Sequence, residues 1–398
     1  MACFPMTIVP NCAMTVRVPL RVFVGVLAAI FTFPVGGVCE GIAFQNGREC
    51  WICSPEGAVI ERVAIPEEMA FHGAASGQLF FVRFLRPGIL RGLSWTPVNP
   101  SPTGSRTFAD LPVAANSRRS DEVLREIGMH RVSFSPDTLF VALVIYRFDH
   151  STNSLSDEVY RYALGTASLT QLTSNGLLNY CPTVSPDGKW IAFYSLPHES
   201  DPEKTVGWPW SKTGLLKGYA LEVVSAAGGT TRQAAPHGYF KYGPGGIAWS
   251  PDSAVLYFEH GDSSEGKHPL LYSVGLNEGK LRKISGTYQC AQDPAASREG
   301  RFVACRLANH LEGTERLSGG IGIIDTATGQ SRILTDDLGW GPKWSPSGKY
   351  ILYSALDPTA KTGQERLYVI KPDGTGKTDL TPPGRRGSLT AREAFWLN

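Results

Sequence analysis

An all-β fold built from repeated four-stranded units is what this sequence predicts, and three observations predict it. A short motif recurs five times at near-regular spacing, the runs around it alternate apolar and polar residues, and 43 Gly and 28 Pro punctuate the chain with turns. Apolar residues make up 42% of the 398 and charged residues 19%, enough to bury a core and too apolar for a disordered chain. Lys and Arg number 38 against 36 Asp and Glu, a net charge of +2, so no basic field calls for nucleic acid.

The motif is an apolar or aromatic residue, Ser, a tight turn and an alternating apolar strand. It covers Val132–Leu143, Thr183–Phe193, Ile247–Phe258, Ala295–Cys305 and Lys343–Tyr353. The shared serines are Ser135, Ser185, Ser250, Ser297 and Ser345, with spacings of 50, 65, 47 and 48 residues. In Ser185-Pro-Asp-Gly188 the proline fixes φ, the Asp side chain bonds local backbone and the Gly accepts positive φ. Each motif therefore opens with a β-hairpin. Asp137, Asp187 and Asp252 are then turn residues rather than acid–base or metal carboxylates.

Third strands are predicted at Glu158–Tyr162, Leu221–Ser225, Leu270–Val274, Gly322–Asp325 and Leu367–Ile370. Fourth strands follow at Leu169–Thr173, Leu281–Ile284, Arg332–Thr335 and Asp379–Thr381. Four antiparallel strands per unit of about 40 to 50 residues is the signature of a β-propeller blade. Near the start, Ile42–Phe44, Cys50–Gly57 and Val59–Val63 read as a unit without its innermost strand. Glu393–Asn398 supplies it, since Trp396 falls 52 residues after Trp344. Phe395 and Trp396 are thus expected beside the strand that begins at Ile42, closing the ring and removing an open sheet edge. Met69–Leu111 reads as a weaker unit that lacks the Ser-Pro-Asp turn. The expectation is a single propeller over 41–398 with seven blades, or six if that weaker unit is not one. One helix is predicted, Asp121–Ile127, between Ser120 and Gly128.

The hairpin Ser185-Pro-Asp-Gly-Lys-Trp-Ile-Ala-Phe193, with strands such as Leu367-Tyr-Val-Ile370 and the ending Leu380-Thr381, resembles the TolB-type, WD-repeat-like propeller repeat. The likeness runs over roughly residues 42–398. It implies the fold and no particular activity. Periplasmic TolB proteins place an α/β domain ahead of a six-bladed propeller, and some pectin-degrading lyases with a similar repeat hold manganese on the propeller axis.

Residues 1–40 carry a different signal. Arg17 and Arg21 precede an apolar run, Val22–Phe33, and then Pro34 and Gly36-Gly37. That order fits a secretory signal, cleaved to leave a start near residues 38–42, or an uncleaved signal anchor. The run is short for a span of about 20 residues. A periplasmic or secreted location is expected, with membrane contact only if the signal stays uncleaved. Behind it lie Cys50, Cys53, Cys181, Cys290 and Cys305, an odd number that argues against a disulfide framework. On a strand, Cys50 and Cys53 point to opposite faces about 10 Å apart, beyond disulfide reach. They read as small buried apolar side chains.

Catalytic motifs are missing. No Gly-x-Ser-x-Gly elbow occurs, and His198-Glu199 lacks the second histidine of a zinc protease. Gly261–His268 and Gly374–Thr378 approach phosphate-loop patterns but read as hairpin turns. His72, His130, His237, His260 and His310 are scattered along the units. No catalytic residue, metal ligand or cofactor is assigned. The informative irregularity is the 65-residue spacing, whose excess falls in residues 196–212 and holds Trp208-Pro-Trp210. These rings either fold back onto the blade or form a contact surface, since exposed aromatics dominate binding hot spots. Tyr239, Phe240 and Tyr242 precede the next innermost strand, near the rim of the axial channel, and would border the same face. The expected function is a monomeric, exported, non-catalytic scaffold for a protein or an envelope glycan. The alternative is a metal-dependent polysaccharide lyase or hydrolase with its site on the axial channel.

Overall fold

The computed structural model describes residues 40–65, 69–75, 78–83, 94–97, 132–149, 154–164, 166, 168–196, 216–240, 245–261, 268–312, 317–357, 364–383, 389 and 394–397. Among them every regular element is a strand. The first group is β1 (Gly41–Asn46), β2 (Glu49–Cys53) and β3 (Val59–Ala64), and the second β4 (Met69–Ala75), β5 (Gln78–Arg83) and β6 (Ser94–Pro97). Next come β7 (Val132–Phe134), β8 (Phe140–Asp149), β9 (Ser154–Ala163) and β10 (Ser168–Gln171). They are followed by β11 (Leu178–Val184), β12 (Trp190–Leu196), β13 (Leu216–Ser225) and β14 (Arg232–Phe240). The fifth group is β15 (Ile247–Trp249), β16 (Val255–His260), β17 (Leu270–Gly275) and β18 (Leu281–Lys283). The sixth is β19 (Cys290–Ala296), β20 (Phe302–His310), β21 (Leu317–Asp325) and β22 (Ser331–Ile333). Last are β23 (Gly339–Trp344), β24 (Ile351–Leu356), β25 (Glu365–Ile370) and β26 (Thr378–Asp379), and then β27 (Ala394–Leu397).

Within each group the strands pair antiparallel in chain order. The groups β7–β10 and β11–β14 are joined into one eight-stranded sheet by a parallel bridge, Leu178 to Asp157. The final strand pairs with the first: Trp396 stands opposite Ile42 and Phe395 opposite Ala43. The expected closure of the first unit is therefore present. First strands of successive units lie side by side, β7 by β11, β11 by β15, β15 by β19, β19 by β23, and β27 by β4. Helix Asp121–Ile127, the Arg106–Leu111 strand and the signal segment fall outside the described residues. Strand β14 was not foreseen.

The recurring serine explains the regularity. Ser135, Ser185, Ser250, Ser297 and Ser345 are buried, and each Oγ accepts the backbone N–H five residues on, at Phe140, Trp190, Val255, Phe302 and Tyr350. Three residues after the serine the backbone is left-handed in every unit: Thr138, Gly188, Ser253, Gly300 and Gly348. Asp187 and Asp252 accept from their serine hydroxyls, and Asp137 accepts from the N–H of Leu139. These carboxylates are turn builders, as their position predicted.

The core lies between units. Phe193 and Val224 of one unit pack with Phe140 and Val159 of the one before, and Ile351 and Tyr353 pack with Ala304 and Ile321. Each fully buried Leu, Ile or Phe contributes about 1.5–3 kcal/mol. Neighbours are also latched by indoles: Trp249 donates Nε1–H to Thr183 O (3.0 Å), Trp344 to Ala295 O (2.9 Å) and Trp396 to Lys343 O (3.1 Å). In three inner strands a bulge interrupts the ladder four residues before the serine, at Cys181 (φ 49°), Asp293 (φ 54°) and Gly341 (φ 62°), each followed by proline.

Candidate functional site

Trp208, Trp210 and Tyr242 lie outside the described residues. Tyr239 and Phe240 are the last two residues of β14, opposite Lys217 and Leu216 at the start of β13. They stand on the outermost strand of their unit rather than beside the innermost one, because the chain from Arg232 keeps pairing with β13 to its end. Segment 197–215 leaves from Leu196, opposite Leu178, and returns at Leu216, opposite Phe240. Its two ends and the Tyr239–Phe240 strand end thus share one end of the unit, away from the Ser185–Gly188 turn. β14 has 9 residues where the other fourth strands have 2 to 6.

At the same end, a belt of buried polar side chains crosses the inner strands. Nine residues after the serine, on the second strand, stand buried Tyr194, Glu259 and Ser354 and half-buried Arg306, with apolar Val144 at the same position of the β7–β10 unit. The Tyr194 hydroxyl accepts from Glu259 N–H and lies 3.1 Å from Glu259 O. Glu259, 1% exposed, accepts through Oε1 from Asp293 N–H (2.8 Å) and Gly246 N–H (3.2 Å). Asp293 in turn accepts through Oδ2 from Gly341 N–H (3.1 Å). Four consecutive units are tied by a relay of side chains onto neighbouring backbone. A side chain on Gly245 would place its Cβ 2.0 Å from Glu259 Oε1, so glycine there lets the backbone close on the carboxylate.

Beside the belt, the Tyr219 hydroxyl accepts from Gly261 N–H (3.1 Å) and lies 3.3 Å from His260 Nδ1. His260 is buried among Tyr219, Phe258 and Tyr272. Of the histidines singled out by sequence, His310 meets another ring, His268, at 5.1 Å. Burial, reinforced by Glu259, pushes the Tyr194 phenol well up, and burial raises Tyr219, so both stay protonated. Burial also pushes Cys290 up to about 12, Cys53 up to about 11 and Cys305 well above its ordinary value. These thiols are inert at neutral pH. The belt can bind and hold. It presents no activated nucleophile.

Sequence reading missed this belt, although a signal existed: polar residues at a strand position that the apolar alternation should fill. Glu259 and Asp293 each commit one carboxylate oxygen to backbone N–H groups, and among the described residues no three of His, Cys, Asp or Glu gather.

No protein-family model matches the chain, and no curated protein matches it in sequence. Solved structures do match. The fold is that of a β-propeller. This propeller is similar to the oligogalacturonate lyase of Vibrio parahaemolyticus, at 11% identity and a TM-score of 0.55, over 89% of this chain and 88% of that one. An oligogalacturonate lyase in complex with manganese shares 14% identity and a TM-score of 0.53, over 88% and 86%. TolB from Acinetobacter baumannii shares 16% identity, with a TM-score of 0.48, over 90% and 83%. At such identities the likeness of the lyases establishes architecture and no activity.

Proposed function

We propose that this chain is an exported, monomeric, seven-bladed propeller that serves as a non-catalytic platform for a protein or envelope-glycan partner. Six four-stranded groups and the three-stranded β4–β6 supply the seven blades of this reading. The observation that carries the platform role is the unit β11–β14. It combines the longest fourth strand among the described residues with the longest spacing between serines, and gathers both ends of 197–215 beside Tyr239 and Phe240. Loops on a rigid scaffold are where propellers carry recognition. The alternative, a metal-dependent polysaccharide lyase or hydrolase, draws less on this unit; Glu259 and Asp293 each commit one carboxylate oxygen to backbone N–H groups.

The test is the double substitution Trp208→Ala with Trp210→Ala. The melting temperature should stay within a few degrees, while a partner recovered from envelope extract by the parent protein should bind about tenfold or more weakly. A large drop in stability would place both rings in the blade and remove them from the surface. Export is tested separately by N-terminal sequencing of the protein from culture fractions: a start near residues 38–42 supports it, and soluble cytosolic protein that retains Arg17 and Arg21 refutes it.

A further inference from the structure

On the inner strands of the sixth unit, Arg306 meets no anionic partner among the described residues. Arg306 on β20 stands opposite Gln292 on β19. Its Nε is buried and meets no acceptor, while Nη1 donates to Gln292 Oε1 over a long 3.4 Å. A guanidinium has five N–H donors in a planar fork, so most of this one is unused. Two carboxylates lie close enough for their charge to reach Cys290, the same thiol that feels Arg306. Neither is a partner for Arg306. Glu259 Oε1 serves Asp293 N–H and Gly246 N–H, and Asp293 Oδ2 serves Gly341 N–H. Withdrawing a cation from water without an acceptor is unfavourable, and a planar fork is the shape that grips a carboxylate with two parallel bonds.

We propose that Arg306, with Gln292 beside it, is a recognition site for the carboxylate of a small organic acid. A singly charged carboxylate suits the surroundings better than a phosphate dianion. Lys343 Nζ is committed to Ala394 O, and Glu259 and Asp293 add negative field that a second ligand charge would oppose. The site is on a different unit from the Tyr239–Phe240 strand end and does not depend on the platform reading.

The test uses the mature protein and three probes: acetate, acetamide and inorganic phosphate, followed by calorimetric titration and thermal melting. Acetate should bind and raise the melting temperature, neutral acetamide of the same shape should not, and phosphate should bind less tightly than acetate. Arg306→Lys keeps the charge but loses the fork, and should weaken acetate about tenfold or more. Arg306→Met should abolish binding, yet melt at or above the wild type without ligand, because it removes a cation with no ion partner. Four results would each overturn the proposal: no acetate binding by the wild type, equal binding by Arg306→Met, tighter binding of phosphate, or a lowered melting temperature of ligand-free Arg306→Met, which would make Arg306 a structural residue.

Discussion

Trp396 is the most direct handle on how the ring is held together. Its indole is 8% exposed, pairs across from Ile42, and donates to the carbonyl of Lys343 in the preceding unit. Trp396→Ala should therefore remove about 3–5 kcal/mol, the usual loss for a buried aromatic. Trp396→Phe keeps most of the ring and deletes the N–H donor, for about 0.5–1.5 kcal/mol. Unfolding entropy of about 2.1 cal/mol/K per residue puts a chain of this length at ~0.8 kcal/mol/K, so the alanine variant should melt about 4–6 °C lower and the phenylalanine variant about 1–2 °C lower. Removing residues 394–398 also strips β1 of its partner, and should add aggregation to the loss of stability because an unpaired edge is exposed. The assay is calorimetry on the three variants beside the parent. If Trp396→Ala or the truncated chain melts where the parent does, the last strand does not close the first unit and the reasoning fails.

Gly238→Ala would place a Cβ 2.3 Å from Tyr219 Oη and 2.6 Å from His260 Nδ1, and should destabilise by about 1–3 kcal/mol in a denaturant melt. The Asp252 carboxyl is held below its usual range by the Ser250 hydroxyl and then by the N–H of Ala254. A carboxylate with a lowered folded pKa stabilises above its unfolded value and loses that contribution as pH falls. Asp252→Asn should accordingly flatten the loss of stability below about pH 4 in an acid-unfolding series. Among Cys50, Cys53, Cys181, Cys290 and Cys305, half-buried Cys181 should be the first alkylated in the folded protein at neutral pH; peptide mapping that finds Cys290 or Cys305 labelled first would contradict the burial described above.

Turn chemistry was legible because it is local. Ser135, Ser185, Ser250, Ser297 and Ser345 act on backbone five residues away, so a window of a dozen residues contains cause and effect. Closure was legible because Trp396 repeats the phase of Trp344. Strand β14 was hidden by Pro236 and Gly238, residues that argue against a strand but are tolerated on an edge, where one face of the ladder needs no partner. The polar belt was hidden for another reason. Glu259 finds its donors at Gly246 and Asp293, one of them 34 residues away, and only the packing of successive units brings them together. As for the aromatic surface, the sequence located the irregular unit, and register alone brought Tyr239 and Phe240 to the end where segment 197–215 begins and returns.

The three bulges before proline also divide the inner wall by conformational strain. Gly341 adopts its left-handed backbone freely, whereas Cys181 and Asp293 each hold it at about 1–2 kcal/mol, against the further restriction set by the proline that follows. At Asp293 the strain is offset, because the bent backbone aims Oδ2 at Gly341 N–H and Asp293's own N–H at Glu259. At Cys181 the link is made two residues on: Thr183 turns its hydroxyl back to the Cys181 carbonyl at 3.1 Å and offers its own carbonyl to the Trp249 indole of the following unit. Glycine at 293 would release strain but remove the carboxylate that reaches Gly341 of the next unit. Identical backbone shapes at equivalent points of a repeat can therefore fasten neighbouring units differently: one through a side-chain carboxylate, the other through a main-chain carbonyl two residues on.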